Sequence, residues 1–302
     1  MTSRLILPKH GDDFSRLVGA PGGGQRIDTT VHGLYRQHVR IRFPTVTIDS
    51  DTLDCAFTVP FDDNTEANEA EITLYNLSYN TTNQLTYGSS VTIEAGYGED
   101  LGVIFSGTLS DKKIQDDDTD RVITIRAMDG AGLAVCEVDV EYTEGNTAQA
   151  ILYDLCTRLG FPIAFWAPVR DCVYDRSVHV DGSLMDAVEK YAGICGVSAY
   201  VCKGLLYVRE FSNSGGDTVP LSVDTGLLTA EEYEKEQKNG DFTDTTRGTR
   251  GWKLEMLLNH RIQTGTRIDL TSRRANGSYY VKEGEHRYDG GEMRTTVTAV
   301  ER

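Results

Sequence analysis

The side chains able to do chemistry are present in this sequence but are scattered along it. The six histidines, His10, His32, His38, His179, His260 and His286, stand far apart, and no His-Glu-x-x-His string occurs. A zinc protease needs that string because it sets two imidazoles on one helix face. The six cysteines, Cys55, Cys136, Cys156, Cys172, Cys195 and Cys202, form no Cys-x-x-Cys and have no histidine at zinc spacing. They are expected as free, mostly buried thiols, since cysteine behaves as a small hydrophobe. A nucleophile elbow reads Gly-x-Ser-x-Gly; the nearest string, Gly196 to Tyr200 around Ser198, lacks the last glycine. Asp49-Ser50-Asp51 and Asp116 to Asp120 have the acid density of a calcium loop. Both lack the glycine at loop position six and the glutamate at position twelve. Gly22, Gly23 and Gly24 are followed by no Gly-Lys-Ser/Thr, so they make no phosphate loop. With 46 acids a close carboxylate pair arises by number alone, so no glycosidase pair stands out. Trp166 and Trp252 are expected in cores and not as sugar platforms. The expectation is no catalytic, cofactor-binding or metal-ligating residue, no cofactor and no enzyme activity.

The elements follow from hydrophobic period. Residues 1–37 hold Gly19, Gly22, Gly23 and Gly24 with two prolines and no sustained period, and read as an arm. From Val39 the period is 2: Val39, Ile41 and Phe43, then Cys55, Phe57 and Val59, then Ile72 and Leu74, Val91 and Ile93, Ile123 and Ile125. Glycine and aspartate turns separate these runs, which is the pattern of a sandwich or barrel over 38–140. Asn80 to Leu85 fits one helical turn. Near Asn146 the period becomes 3.6. Ala148, Ile151, Leu152, Leu155 and Leu159 make a helix stripe, capped by Asn146 or Thr147 and ended by Gly160. Ser183 caps a second helix bearing Leu184, Ala187, Val188 and Tyr191, and a hairpin turns at Lys203-Gly204. Residues 141–210 are thus a small α+β insert. In 211–302, Thr229 to Lys238 reads as a short charged helix and Asn239 to Gly251 as a mobile loop. Strands resume at Trp252, with a hairpin signal at Asn276-Gly277 and another across Asp289-Gly290-Gly291. The fold class is mainly β (α+β), in the order arm, barrel, insert, barrel.

Charge narrows the function. Lys plus Arg total 30 against 46 acids, a net −16. A general nucleic-acid binder would carry a basic stripe, and a protein docking on anionic lipid a basic patch. The charge is uneven: +4 over 1–42, −15 over 43–140, −3 over 141–210 and −2 over 211–302. No apolar run reaches the about 20 residues of a bilayer span, and the N-terminal run is too short for a secretory h-region. A soluble chain made in a reducing compartment is expected.

Four strings in the first β region resemble a known family: Asn68 to Ser78 (NEAEITLYNLS), Val91 to Gly98 (VTIEAGYG), Ile104 to Ser110 (IFSGTLS) and Val122 to Gly130 (VITIRAMDG). Ala150 to Gly160 and Ser183 to Ala192 in the insert, and Leu257 to Gly265 with Ser278 to Val281 near the end, extend it over 38–302, with 229–250 uninformative. The order resembles baseplate hub and tail proteins of long-tailed bacteriophages and phage-like contractile particles, the late control protein D group among them. The resemblance implies two tail-tube-like β-barrels flanking a small α+β domain. It implies a homotrimer whose six barrels mimic sixfold symmetry and join a hexameric tail tube to a trimeric spike. The implied partners are the tube protein, the spike protein, the tape measure protein and other baseplate proteins. DNA would pass without specific binding, with no membrane insertion. The implied location is the virion tail baseplate, assembled in the host cytoplasm. A distal tail or tube-initiator protein is the alternative, and a tail-associated cell-wall hydrolase a more remote one.

Overall fold

The computed structural model describes residues 34, 36–64, 67–116, 120–130, 136–210, 213, 218–234 and 250–301. The arm over 1–37, apart from Leu34, Arg36 and Gln37, lies outside them. So do the middle of the acidic tip at 116–120 and nearly all of the loop expected at 239–251.

The first region holds β1 (Gln37–Arg42), β2 (Thr47–Asp49), β3 (Cys55–Phe61), β4 (Glu69–Tyr75), α1 (Tyr79–Gln84), β5 (Ser90–Tyr97), β6 (Asp100–Asp116) and β7 (Arg121–Met128). The period-2 residues all point one way. Ile41, Ile72, Leu74, Ile93, Ile123 and Ile125 are fully buried together. Each such side chain contributes about 1.5–3 kcal/mol by leaving water. Ser78 caps α1 by accepting the Thr81 N–H.

The insert holds β8 (Glu137–Tyr142), α2 (Ala148–Arg158), β9 (Ile163–Ala167), β10 (Val178–Ser183), α3 (Leu184–Ile194), β11 (Ser198–Cys202) and β12 (Leu205–Arg209). Thr147 caps α2 and Ser183 caps α3, each with its hydroxyl on a backbone N–H three residues on. The stripes of both helices share one core with Val138 and Tyr142 of β8. Lys203 and Gly204 both take positive φ, 55° and 75°, as a two-residue hairpin turn requires.

The last region holds β13 (Thr218–Leu221), β14 (Leu227–Glu234), β15 (Arg250–Leu257), β16 (Arg267–Thr271), β17 (Asn276–Tyr288) and β18 (Met293–Val300). Two expectations are corrected here. The charged stretch from Thr229 is strand β14 and not a helix through Glu234. Ala230 pairs with Leu254 and Leu227 with Met256, so an apolar partner overrides the helix propensity of three glutamates. Asn276-Gly277 does not form the turn of its hairpin. Asn276 already pairs with Thr271, and Ser272 to Ala275 make the turn, tied by the Ser272 N–H to Ala275 O at 2.9 Å.

The two β regions are one sheet of 13 strands, because β3 and β17 pair over Gly284↔Phe61 to Tyr288↔Phe57. Strand β17 runs past both cores. Tyr279 and Val281 lie in the second, and Tyr288 packs on the first. A register shift between Val281 and Glu283 resets the alternation between them. The fold is mainly β, with three helices among the described residues. None of these helices is long and apolar enough to cross a membrane.

Candidate functional site

The sequence-level candidates stay dispersed. His179 is exposed, with Asp139 at 3.6 Å. His38 Nε2 meets Asp49 at 2.9 Å, and Asp51 completes a group whose ligand atoms lie within 4.8 Å. Two guanidinium groups also reach this cluster: Arg40 Nε lies 3.5 Å from Asp49 and Arg36 Nη2 3.8 Å from Asp51. Two arginines thus already share the carboxylates of this group. His10 and His32 lie outside the described residues. No cysteine is in a disulfide. Burial pushes the Cys55 and Cys195 thiols up to about 12, so they are held protonated and unreactive. Trp166 packs on the insert core, edge-on to Tyr153, and Trp252 on the last core.

What the structure does gather is a joint, and sequence spacing gave no sign of it. The connection from Leu258 to Thr266 touches all three regions. Toward the first, Arg261 holds Asp100 with two bonds of 2.7 and 2.8 Å, and His260 Nε2 adds a third contact at 3.1 Å. The Arg261 bond, with help from His260, holds the Asp100 carboxyl down to about 2. Gly102 allows this approach, since a Cβ there would sit 2.0 Å from His260 Nδ1. Thr264 Oγ1 donates to Asp62 O at 3.0 Å.

Toward the insert the joint is polar and buried. Arg209 ends β12 at 3% exposure. Its Nε donates to Tyr200 Oη at 2.8 Å, Nη2 to Thr264 O at 2.9 Å and Nη1 to Asn213 O at 3.1 Å. Its guanidinium carbon lies 5.2 Å from the centre of the Tyr207 ring. Lys203 Nζ donates to His260 O at 2.8 Å. Toward the last region, His286 Nε2 donates to Ile262 O at 3.2 Å, so Nδ1 must accept, from the Thr295 hydroxyl at 2.8 Å. Burial drives this imidazole down to about 3, and it stays neutral. This machinery binds and orients chain segments, and the Thr295–His286 hydroxyl–imidazole pair within it is fully buried.

The second gathered feature is a surface. Both β cores lie on one face of the shared sheet. The other face carries Thr58, Thr73, Thr124 and Thr296, with Glu285 opposite Thr296 and Pro60. Some of its charges are paired, Arg126 lying 3.6 Å from Glu69 and 3.8 Å from Glu71 and Arg294 binding Glu255, while Arg287 and Lys113 stand opposite Thr58 and Thr124. Elsewhere in 43–140, Glu94 meets Arg42 at 2.9 Å and Asp116 meets Arg121 at 3.2 Å. Arg42, from outside that segment, thus offsets part of its −15.

No family model and no curated protein matches this sequence. The fold does have solved counterparts. A tail protein from Neisseria meningitidis MC58 superposes with a TM-score of 0.64 at 11% identity, over 88% of this chain and 97% of that one. The 43 kDa tail protein of prophage MuSo2 from Shewanella oneidensis gives 0.64 at 9% identity, over 88% and 98%. An Escherichia coli component of the type VI secretion system, described as structurally similar to the T4 bacteriophage tail proteins gp27 and gp5, gives 0.61 at 9%, over 87% and 76%. At these identities the likeness is one of fold, the fold of phage tail proteins.

Proposed function

We propose that this chain is a structural hub protein of a phage tail baseplate or a related contractile particle. Three copies would form a ring that joins a sixfold tube to a threefold spike. The observation that carries the reading is the shared sheet. Two β regions lie side by side around a helical insert, in a chain that superposes on nearly the whole length of a tail protein. Three such chains supply six similar β units, which is what a threefold ring needs to meet a sixfold tube. Each unit would be a tail-tube-like barrel, with boundaries near 38–140, 141–210 and 211–302. The tube protein and the spike protein are the expected partners, with the tape measure protein and other baseplate proteins around them. The expected place is the virion tail, after assembly in the host cytoplasm.

The threonine face of the shared sheet suits the wall of a DNA channel. Threonine hydroxyls, with Glu69, Glu71, Glu255 and Glu285 balancing Arg126, Arg294, Arg287 and Lys113, would offer a polyanion no net cation, so that DNA is not held. Light scattering tests the stoichiometry. Three chains of 33.4 kDa give about 100 kDa, and six copies, the distal tail or tube-initiator alternative, give twice that. Lysine at both Glu69 and Glu71 should leave the ring assembled and slow genome delivery. An assembled ring with these residues on its outer rim overturns the channel assignment. Loss of peptidoglycan turbidity on adding the protein would favour the hydrolase reading instead.

A further inference from the structure

Asp129 directly follows β7 beside the joint and is 6% exposed. Its Oδ1 accepts the Asn68 N–H at 2.8 Å and its Oδ2 the Asn68 Nδ2 at a longer 3.3 Å. Its own N–H returns to Asn68 O at 3.1 Å. The titratable groups that face it come from two other elements. Asp62, on the connection from β3 to β4, presents a like charge. Cys202, at the tip of the β11–β12 hairpin, lies within the field of the Asp129 carboxyl. Lys203 follows Cys202, but its ammonium is engaged by His260 O. Among the described residues no arginine, lysine or histidine pairs with Asp129. The same hairpin tip rests on the first region: a Cβ on Gly204 would lie 3.4 Å from Ser106 O. The tip thus rests on β6 where that strand pairs with the end of β7, Thr108 with Met128, beside a carboxyl that has two donors but no cation.

We propose that Asp129 is a proton-operated fastener of the joint. Protonated, it lets the Cys202–Gly204 tip seat against the first β region; ionised, it draws water and loosens the tip beside it. A buried, unpaired carboxylate is unfavourable enough to displace a neighbour held by side-chain bonds alone. Burial, with Asp62 adding to it and the Asn68 donors opposing, raises the Asp129 carboxyl to about 7. Because the folded value lies above the unfolded one, the stabilisation is complete at low pH and is lost as pH rises through about 7. His286 has lost its proton at about 3 and burial keeps Cys202 protonated to about 11, so neither titrates in that window, and burial draws His260 below its ordinary value. Lys203, which burial also draws down, is the one competing group.

The experiment is hydrogen exchange of the Cys202 and Leu205 amides across neutral pH, corrected for the intrinsic rate, with the Asp129 carboxyl followed by carbon NMR. A single site titrating at about 7 raises corrected exchange about tenfold from about pH 6 to about pH 8. The rise should vanish in Asp129→Asn, persist in Lys203→Met, and move to lower pH in Asp62→Asn. An Asp129→Asn chain that keeps the pH dependence, or a carboxyl titrating near an ordinary aspartate value, overturns the proposal. So does loss of the rise in Lys203→Met. If Asp129→Asn fails to fold, Asp62→Asn decides alone: an unmoved midpoint refutes the fastener and a lowered one supports it.

Discussion

Replacing Arg209 with methionine tests whether the insert is fixed by the joint or merely rests on it. Methionine keeps the length of the stem and removes the three donated bonds, to Tyr200 Oη, Thr264 O and Asn213 O. Bonds from a charged donor are each worth about 1.5–3 kcal/mol net. Against their sum stands the desolvation of a guanidinium that no carboxylate among the described residues offsets. Tyr200 Oη also keeps its own bond to Thr264 O at 3.2 Å, so that carbonyl is not orphaned. The balance is a loss of about 3 kcal/mol, toward the lower end for breaking a buried charged network. A chain of several cores does not unfold in two states, so a single melting temperature is a poor readout. The Gly265 and Thr266 amides, bonded to Val281 O at 2.7 Å and Gln263 O at 3.0 Å, report the joint directly. A loss of about 3 kcal/mol raises their exchange roughly 100-fold, at about 1.4 kcal/mol per tenfold. Arg209→Lys should recover little, because an ammonium cannot present the planar fork. Less than a threefold change at both amides would refute the clamp and leave the insert held by apolar contact alone.

Three further outcomes are expected. Gly265→Ala should destabilise the joint by more than about 2 kcal/mol, since φ is +75° and the added Cβ would fall 2.3 Å from Arg209 Nη2; calorimetry with exchange at Thr266 checks it. Asp100 contributes stability that is complete above its unfolded value and fades as pH falls toward about 2; its side chain is 59% exposed, so screening limits the effect to under about 1 kcal/mol. In acid titration, wild type should exceed Asp100→Asn in stability by a constant small margin above about pH 4, and the margin should close between about pH 4 and about pH 2; a margin that widens as pH falls through that range would contradict the sign. The basic N-terminal segment, with its glycines and prolines, should be cut by protease in the free chain and protected in the assembled particle; a resistant N-terminus in the free chain contradicts this.

What the sequence showed depended on how local each signal was. The α2 stripe, the Thr147 and Ser183 caps and the Lys203-Gly204 turn are each decided within a dozen residues, and the structure has them all. Strand β14 was misread because its own residues favour helix, while its partner β15 begins 16 positions beyond its last residue. The joint was invisible for the same reason at longer range. Asp100 and Arg261 are 161 positions apart, and Tyr200 and Thr264 are 64 apart. A weak trace did exist. Gly102 and Gly265 sit where a Cβ would collide, and Arg209 is a charge ending an otherwise apolar strand. Neither could be told from a turn glycine or a surface arginine without the fold.

The two kinds of connection in this molecule divide its motions. The β regions are tied by a ladder of five paired positions between β3 and β17, and two apolar cores lie along the same strand. Rotating one against the other would break ladder bonds and open both cores together. The described contacts of the insert with the β regions are side-chain bonds of Arg209, Lys203, Tyr200 and Tyr207 with the connection between β15 and β16, with the Gly204 tip resting by Ser106 of β6. Such bonds are individually worth about 1–3 kcal/mol and can be exchanged for water one at a time. In a ring of such chains the sheet would keep the bore while the insert takes up any displacement. A variant at the joint should therefore change the response of the particle to pH or to its partners before it changes the ring itself.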